Sequence, residues 1–402
     1  MKKIALMHYA YPPNIGGVEI LLREHAKILT SFGNQITVIT GNGKEEDPKI
    51  NFIEIPEIQS ILKFNPPLYE KIVEKGVVDD EFYALAKTIE AKIEKILDEQ
   101  DVIIVHNMLT LIHNLPFVHY LKNYLKKNSQ KKIIVWVHDQ TFINGENILK
   151  EKPGVNLNPA ELDLLLKPVE NTVYIVISNT FKALLSQVMD LSNNQTIVIP
   201  DGIDIKKFLE IEDSIWKIVE KNNLLKSFPV ILSPVNILER KNLLYSVETV
   251  SFMKKTYPEV KYIISGQVSN HRKNLDYLET LNKKIDDLDL KDNIIFLKDY
   301  FDRSLENEEI HDLYDIADLV FFFSKAENFG LPLIEAALTK TPVFVSNLKV
   351  FKEIGGDNLL FADSPQTILK YLEENKITKL NKIAKQQYNL KTIIKEKLVP
   401  LL

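Results

Sequence analysis

The sequence predicts an α/β protein of doubly wound parallel sheets, and three observations carry that prediction. Short apolar runs alternate with longer amphipathic stretches through almost all of the 402 residues. Most of the runs are continuous and rich in β-branched residues, as strands buried on both faces of a parallel sheet read. The stretches between them repeat their apolar positions at helical spacing, and a βαβα order of this kind belongs to an α/β architecture.

In chain order, the first set of strands falls at residues 4–7, 36–39, 52–55, 102–105, 133–137, 173–177 and 197–199. After the first of them, Val18, Leu21, Leu22, Ile28, Leu29 and Phe32 recur at helical spacing. Gly33 follows where a helix-ending glycine belongs. A second set falls at residues 230–232, 262–264, 294–297, 319–323 and 343–345. Twelve strands would overload one sheet, so the chain divides. The break follows the turn-rich Ile199-Pro200-Asp201-Gly202-Ile203-Asp204. The expected domains are 1–205 and 206–380, with a Lys-rich helical segment at 381–402.

Composition narrows the function. Apolar residues make up 45% and charged residues 26%, so each domain can bury a core. There is no Cys, which excludes disulfides, thiolate metal sites and a Cys nucleophile. A net charge of −5 argues against a nucleic-acid partner, which needs a basic face. The apolar stretch after Lys2-Lys3 is too short for a signal peptide, and no run approaches a membrane span. A cytoplasmic protein is expected. No His/Asp/Glu spacing reads as a metal site.

Parallel sheets bind ligands at the carboxyl ends of their strands. Polar residues stand there at Gly16-Gly17, His106-Asn107, His138-Asp139, Ser178-Asn179, Ser265-Gly266 and from Ser324 to Glu335. In the last stretch Gly330 suits a turn and Pro332 the first position of a helix. Free N–H groups around Leu331 to Ile334 would then form an anion site. Glu327 would lie in the loop and Glu335 in the first helical turn. Carboxylates beside an anion site suit hydroxyls, and a ligand with both phosphate and hydroxyls is a nucleotide sugar. On these residues alone a second reading stands: Glu335 complements the helix dipole and Glu327 is a surface residue.

The ordered set of motifs resembles glycosyltransferase family 4, the retaining nucleotide-sugar transferases of GT-B fold. Glu327 and Glu335, with Asn-Phe-Gly-Leu-Pro between them, match that family's Glu-x7-Glu motif. Pro12-Pro13-Asn14-Ile15-Gly16-Gly17-Val18-Glu19 matches its early glycine loop, and Val137-His138-Asp139 its strand-end histidine. Residues 199–204 match its Pro-Asn-Gly-Ile-Asp signature, with Asp201 where Asn is usual. Lys241-Asn242 matches its phosphate-binding lysine. The resemblance spans nearly the whole chain.

It implies two Rossmann-like domains facing across a cleft, the second holding the donor and the first the acceptor. The final helix would cross back to the first domain. Gly16 and Gly17 would admit the diphosphate, Lys241 would neutralise it, and His138 would contact the transferred sugar. Glu327 would bind donor-sugar hydroxyls with help from the backbone at Asn328, Phe329 and Gly330, and Leu331 would also contact the donor. Glu335 would take the ribose, and residues near Gly266 and 296–298 would flank the base. His106 and Asn107 would line the acceptor cleft, although His106 reads equally as a structural histidine. Residues 58–82 would set acceptor specificity. The co-substrate would be a UDP-glucose or GDP-mannose type donor, with no cofactor and no metal. The acceptor would be a hydroxyl of a glycan, a lipid-linked sugar or a small molecule.

One departure is visible. The family places an Arg five residues before the lysine, where this chain has Asn236. Arg240 either supplies that charge or is a solvated helix-entry residue. A non-catalytic nucleotide-sugar-binding subunit, or an epimerase or phosphorylase of the same fold, are the rival readings. Asp287-Leu288-Asp289 lies in a polar helical stretch and reads as a solvated face. The five lysines of 122–132 beside an apolar helix face have two readings: peripheral contact with the inner face of a membrane, or packing on the sheet.

Overall fold

The computed structural model describes residues 1–14, 16–45, 47–362 and 364–402. Ile15 of the early glycine loop lies outside them. The chain forms two compact units, Met1–Gly202 with Leu390–Leu402, and Ile203–Asn389. The sequence had put these limits at 205 and 380.

The first unit is built on a seven-stranded parallel sheet. Its strands are β1 (Lys3–His8), β2 (Gln35–Thr40), β3 (Asn51–Glu54), β4 (Val102–His106), β5 (Lys132–Val137), β8 (Val173–Val176) and β9 (Thr196–Val198). Their order is β3-β2-β1-β4-β5-β8-β9, with a two-stranded hairpin, β6 (Ile143–Asn144) and β7 (Asn147–Ile148), beside it. Successive side chains of a strand point to opposite faces. Ala5, Met7, Ile103, Val105, Val135 and Val137 therefore pack one way, against Ile89, Ile93, Phe117 and Leu121. Ile4, Leu6, Ile104, Ile134 and Trp136 pack the other way, against Leu22 and Leu29. Leu390, Ile393, Ile394 and Leu398 join that second layer, which is why the C-terminal segment belongs to this unit.

The second unit has a six-stranded parallel sheet. Its strands are β10 (Val230–Ser233), β11 (Lys261–Ile264), β12 (Ile294–Phe296), β13 (Leu319–Phe322), β14 (Val343–Val345) and β15 (Leu360–Phe361). The order is β12-β11-β10-β13-β14-β15. All twelve sequence-predicted strands form. The hairpin and β15 were missed because two-residue strands carry no usable periodicity.

In each sheet the order reverses once, between β1 and β4 and between β10 and β13. These switch points open a crevice at the strand carboxyl ends, where ligands of such sheets bind. The helix Leu115–Lys127 buries Phe117, Val118, Leu121 and Tyr124 against its unit. Of the five lysines in 122–132, Lys122 is buried on the Lys167 carbonyl at 2.5 Å. Lys131 donates to the carbonyls of Leu97, Asp98 and Gln100. The run is thus not one free cationic face. Asp289 pairs with Lys254 at the exposed end of the helix Arg272–Asp287, as the solvated reading of 287–289 required. Among the described residues no helix is long and apolar enough to cross a membrane.

Candidate functional site

Two polar clusters form, one at each switch point. In the second unit β10 leads into a turn, Glu239–Lys241, and β13 leads into the loop carrying Ser324 to Gly330. The N–H of Lys325 donates to the Arg240 carbonyl at 2.7 Å, which ties the two loops together. Three charges then converge. Lys241 Nζ donates to Glu327 Oε1, and Arg240 Nη1 to Glu327 Oε2 at 3.1 Å. Ser324 Oγ donates to Glu327 Oε1 at 2.7 Å. Burial alone would raise the Glu327 carboxyl, but the hydrogen bonds from Lys241 and Ser324 outweigh it and hold the group below the usual carboxylate range. Lys241 and Glu327 are each about one-tenth exposed, whereas Arg240 is half exposed.

Gly330 has φ +138°, where a side chain would be strained, and a Cβ there would press on Phe351. It opens the helix Leu331–Leu338. Two expectations about that helix need correction. Pro332 occupies its second position and has no N–H, while the N–H of Leu333 donates to the Gly330 carbonyl at 3.0 Å. The ring of free donors expected around Leu331 to Ile334 is therefore smaller. Glu335 falls beyond the first turn, and its Oε2 accepts from the Tyr314 hydroxyl at 2.7 Å. Burial, and next that hydrogen bond, push the Tyr314 hydroxyl up. Tyr314 was missed; it lies 21 residues from Glu335 and nothing local marks it.

At the end of β11, a Cβ on Gly266 would collide with the Val235 carbonyl and Asn236 Cα. Only glycine allows that approach of the two strand-end loops. Asn236 Oδ1 accepts from the Gln267 N–H at 3.1 Å, so this side chain joins loops and supplies no charge. Phe329 and Leu331 expose more than half of their surface, an apolar rim beside Glu327 and Asn328.

In the first unit the cluster lies at the ends of β1, β4 and β5. His106 and Trp136 face each other across β4 and β5, with rings stacked at 5.3 Å. His138 continues the stack, its Nε2 3.3 Å from His106 Nδ1. His138 Nδ1 lies 3.4 Å from Asp201 Oδ2. The expected acceptor residues His106 and Asn107 are corrected here: neither presents an open surface. His106 is fully buried because its ring is stacked into the core of the sheet. Asn107 sits at φ 60°, and its Oδ1 accepts from the N–H groups of His138 (2.9 Å) and Asp139 (2.7 Å). It is a clamp that shapes the turn on which His138 stands.

Gly16 caps the helix Gly17–Ser31 in extended conformation. A Cβ there would run into the Glu19 carboxylate, which folds over Gly16; Gly17 leaves open space. Glu19 is held below its usual range, first by its hydrogen bond with His8. The expected backbone cradle is thus partly filled by a carboxylate.

His25, from the same helix, is not singled out by the sequence. It is buried against Trp136 at 4.6 Å, with neither ring nitrogen hydrogen-bonded. Desolvation, and next the neighbouring His138, lower its pKa to about 3. The unfolded chain binds a proton at this residue near 6.5, and the folded one only near 3. Stability is therefore complete above about pH 6.5 and falls as the pH drops toward 3. His25→Phe should shrink the difference in melting temperature between pH 7 and pH 4; an unchanged difference would refute this assignment.

Among the described residues no group of three or more His, Asp or Glu is placed to hold a metal ion.

Residues 214–389, which lie within the second unit, match the family of glycosyl transferases group 1. Among curated relatives, a mannosylglucosylglycerate synthase of Petrotoga mobilis is 27% identical over 271 residues. That alignment covers 63% of this chain and 61% of the relative. The mannosylglucosylglycerate synthase of Thermotoga maritima is 24% identical over 373 residues, covering 87% of this chain and 82% of its own. A solved sucrose-phosphate synthase from Thermosynechococcus elongatus aligns over 100% of this chain and 98% of its own, at 17% identity and a TM-score of 0.40.

Proposed function

We propose that this protein is a retaining glycosyltransferase that moves a hexosyl group from a nucleotide-diphospho-sugar to an acceptor hydroxyl. The observation that carries the reading is the convergence of Lys241 and Arg240 on Glu327 at the second switch point. The bond from the anomeric carbon to the diphosphate oxygen breaks, and a bond from that carbon to the acceptor oxygen forms. The acceptor's proton passes to the leaving diphosphate. Lys241 stabilises the charge that grows on the diphosphate, which is where a fixed cation lowers the barrier most. Arg240 adds a weaker, solvent-screened charge in place of the Arg absent at Asn236. Glu327, released from the two cations by the incoming phosphate, accepts from sugar hydroxyls. With two protein cations at the diphosphate, the reading calls for no metal ion.

The names of the relatives favour mannose as the group moved. Besides the two synthases, they include an O-antigen chain mannosyltransferase and a mannosylfructose-phosphate synthase. A GDP-mannose type donor and a glycosylated small acid or sugar acceptor are therefore the first pair to try. The test is nucleotide release from UDP-, GDP- and ADP-hexoses with mixed acceptors and no added metal. Release that depends on both donor and acceptor, with the product's anomeric configuration retained, supports the reading. Nucleotide binding without turnover across the panel would replace it with a binding subunit.

A further inference from the structure

The ring chain of the first unit ends in a group that can only accept. Asp201 Oδ2 lies 3.4 Å from His138 Nδ1, and His138 Nε2 lies 3.3 Å from His106 Nδ1. A carboxylate has no proton to give, so a neutral His138 meets it favourably only with hydrogen on Nδ1. His138 Nε2 is then a bare acceptor, and His106 must donate to it from Nδ1. That leaves His106 Nε2 as a lone pair, and this atom is buried without a partner. The opposite arrangement would face two lone pairs at Asp201 and leave a buried N–H on His106 with nothing to bond. We propose that Asp201 is a positioning residue that fixes the tautomer and ring orientation of His138, and through it the proton on His106.

The geometry around the chain agrees. The backbone of His138 is held by Asn107 Oδ1, so the ring has a fixed base to pivot from. His138, His106 and Trp136 lie within 15° of parallel, which leaves the His138 ring little room to turn. The other ionisable groups at the ring chain are His25 from the helix Gly17–Ser31, which interacts with His138, His8 at the end of β1, which interacts with His106, and Asp139, the next residue in the chain. His8 Nδ1 is engaged with the His106 carbonyl at 2.9 Å, and Asp139 with the Asn107 amide at 3.4 Å. His25 is buried with no hydrogen-bonding partner, so it does not compete for His138. Among the described residues, Asp201 is the carboxylate that lies beside a His138 ring nitrogen.

The test uses the full chain labelled with ¹⁵N-histidine, with ring nitrogens read from long-range ¹H–¹⁵N correlations at neutral pH. His138→Gln assigns the signals. Wild type should show His138 protonated at Nδ1 and bare at Nε2. Asp201→Ala should shift it to a mixture or to the other tautomer. Asp201→Asn, whose amide oxygen still accepts, should keep the wild-type form. A wild-type His138 protonated at Nε2 alone, or a spectrum unmoved by Asp201→Ala, would overturn the proposal. A kinetic arm rests on the transferase reading. Asp201→Ala should lower kcat of nucleotide release about ten- to a hundredfold, with donor KM within about twofold, and Asn should restore it. Because the spectra need no turnover, a failure of the transferase reading leaves them to decide the proposal alone.

Discussion

Replacing Lys241 by Ala is expected to lower nucleotide release about 100- to 1000-fold, the usual effect of removing one donor aimed at charge that grows in the transition state. Lys241 is about one-tenth exposed and touches both Glu327 and the Phe322 ring, so its charge acts with little screening. The loss should appear equally in kcat and kcat/KM, the mark of an interaction made in the transition state. Arg240→Ala should cost less than about tenfold, because its guanidinium is half exposed and water screens it. Steady-state release from the best donor, with melting curves as the folding control, measures both. Equal losses for the two variants would mean that Arg240 carries the phosphate charge; no loss for Lys241→Ala would remove the central element of the proposed function.

Lys385→Met is expected to destabilise the second unit by about 3–5 kcal/mol, the range for removing one partner of a buried ion pair. Lys385 and Asp318 are both nearly inaccessible. Lys385 Nζ donates to the Ile316 carbonyl at 2.6 Å and pairs with Asp318 at 3.3 Å. Asp318 Oδ2 also accepts from the Val230 N–H at 2.8 Å, so it pins the starts of β10 and β13 together. Losing the lysine leaves that carboxylate buried and unpaired. Of the two tryptophans, Trp216 lies in the second unit and Trp136 in the first. Urea unfolding read by fluorescence in a Trp136→Phe background therefore reports the second unit. The double variant Asp318→Asn/Lys385→Met should recover part of the loss. A single-variant loss below about 1 kcal/mol would show that water reaches the pair.

The strands and their parallel class were legible because both faces of each strand are buried, and burial writes itself as an unbroken apolar run. The site was legible in part. His138 stands directly after β5, and Glu327 and Lys241 lie in the loops that follow β13 and β10; strand ends are where such sheets place chemistry. Their partners were not legible. Nothing within a few residues of Glu335 points to Tyr314, and nothing near His138 points to Asp201, because these pairs are made by the packing of separate elements. His106 looked like a cleft residue from its position alone. Its register against Trp136 sends the ring into the core, and a one-residue shift along the strand would have sent it to the other face.

What the sequence by itself determined is the order of the elements, their parallel pairing class and the residue types waiting at the strand ends. These follow from local periodicity and from turn chemistry, which neighbouring residues decide. Only the tertiary structure decided which charges meet. Lys241 and Glu327 are 86 residues apart, and Lys385 and Asp318 are 67. Such pairs become neighbours only when the sheet closes, so their burial and proton placement belong to the folded chain.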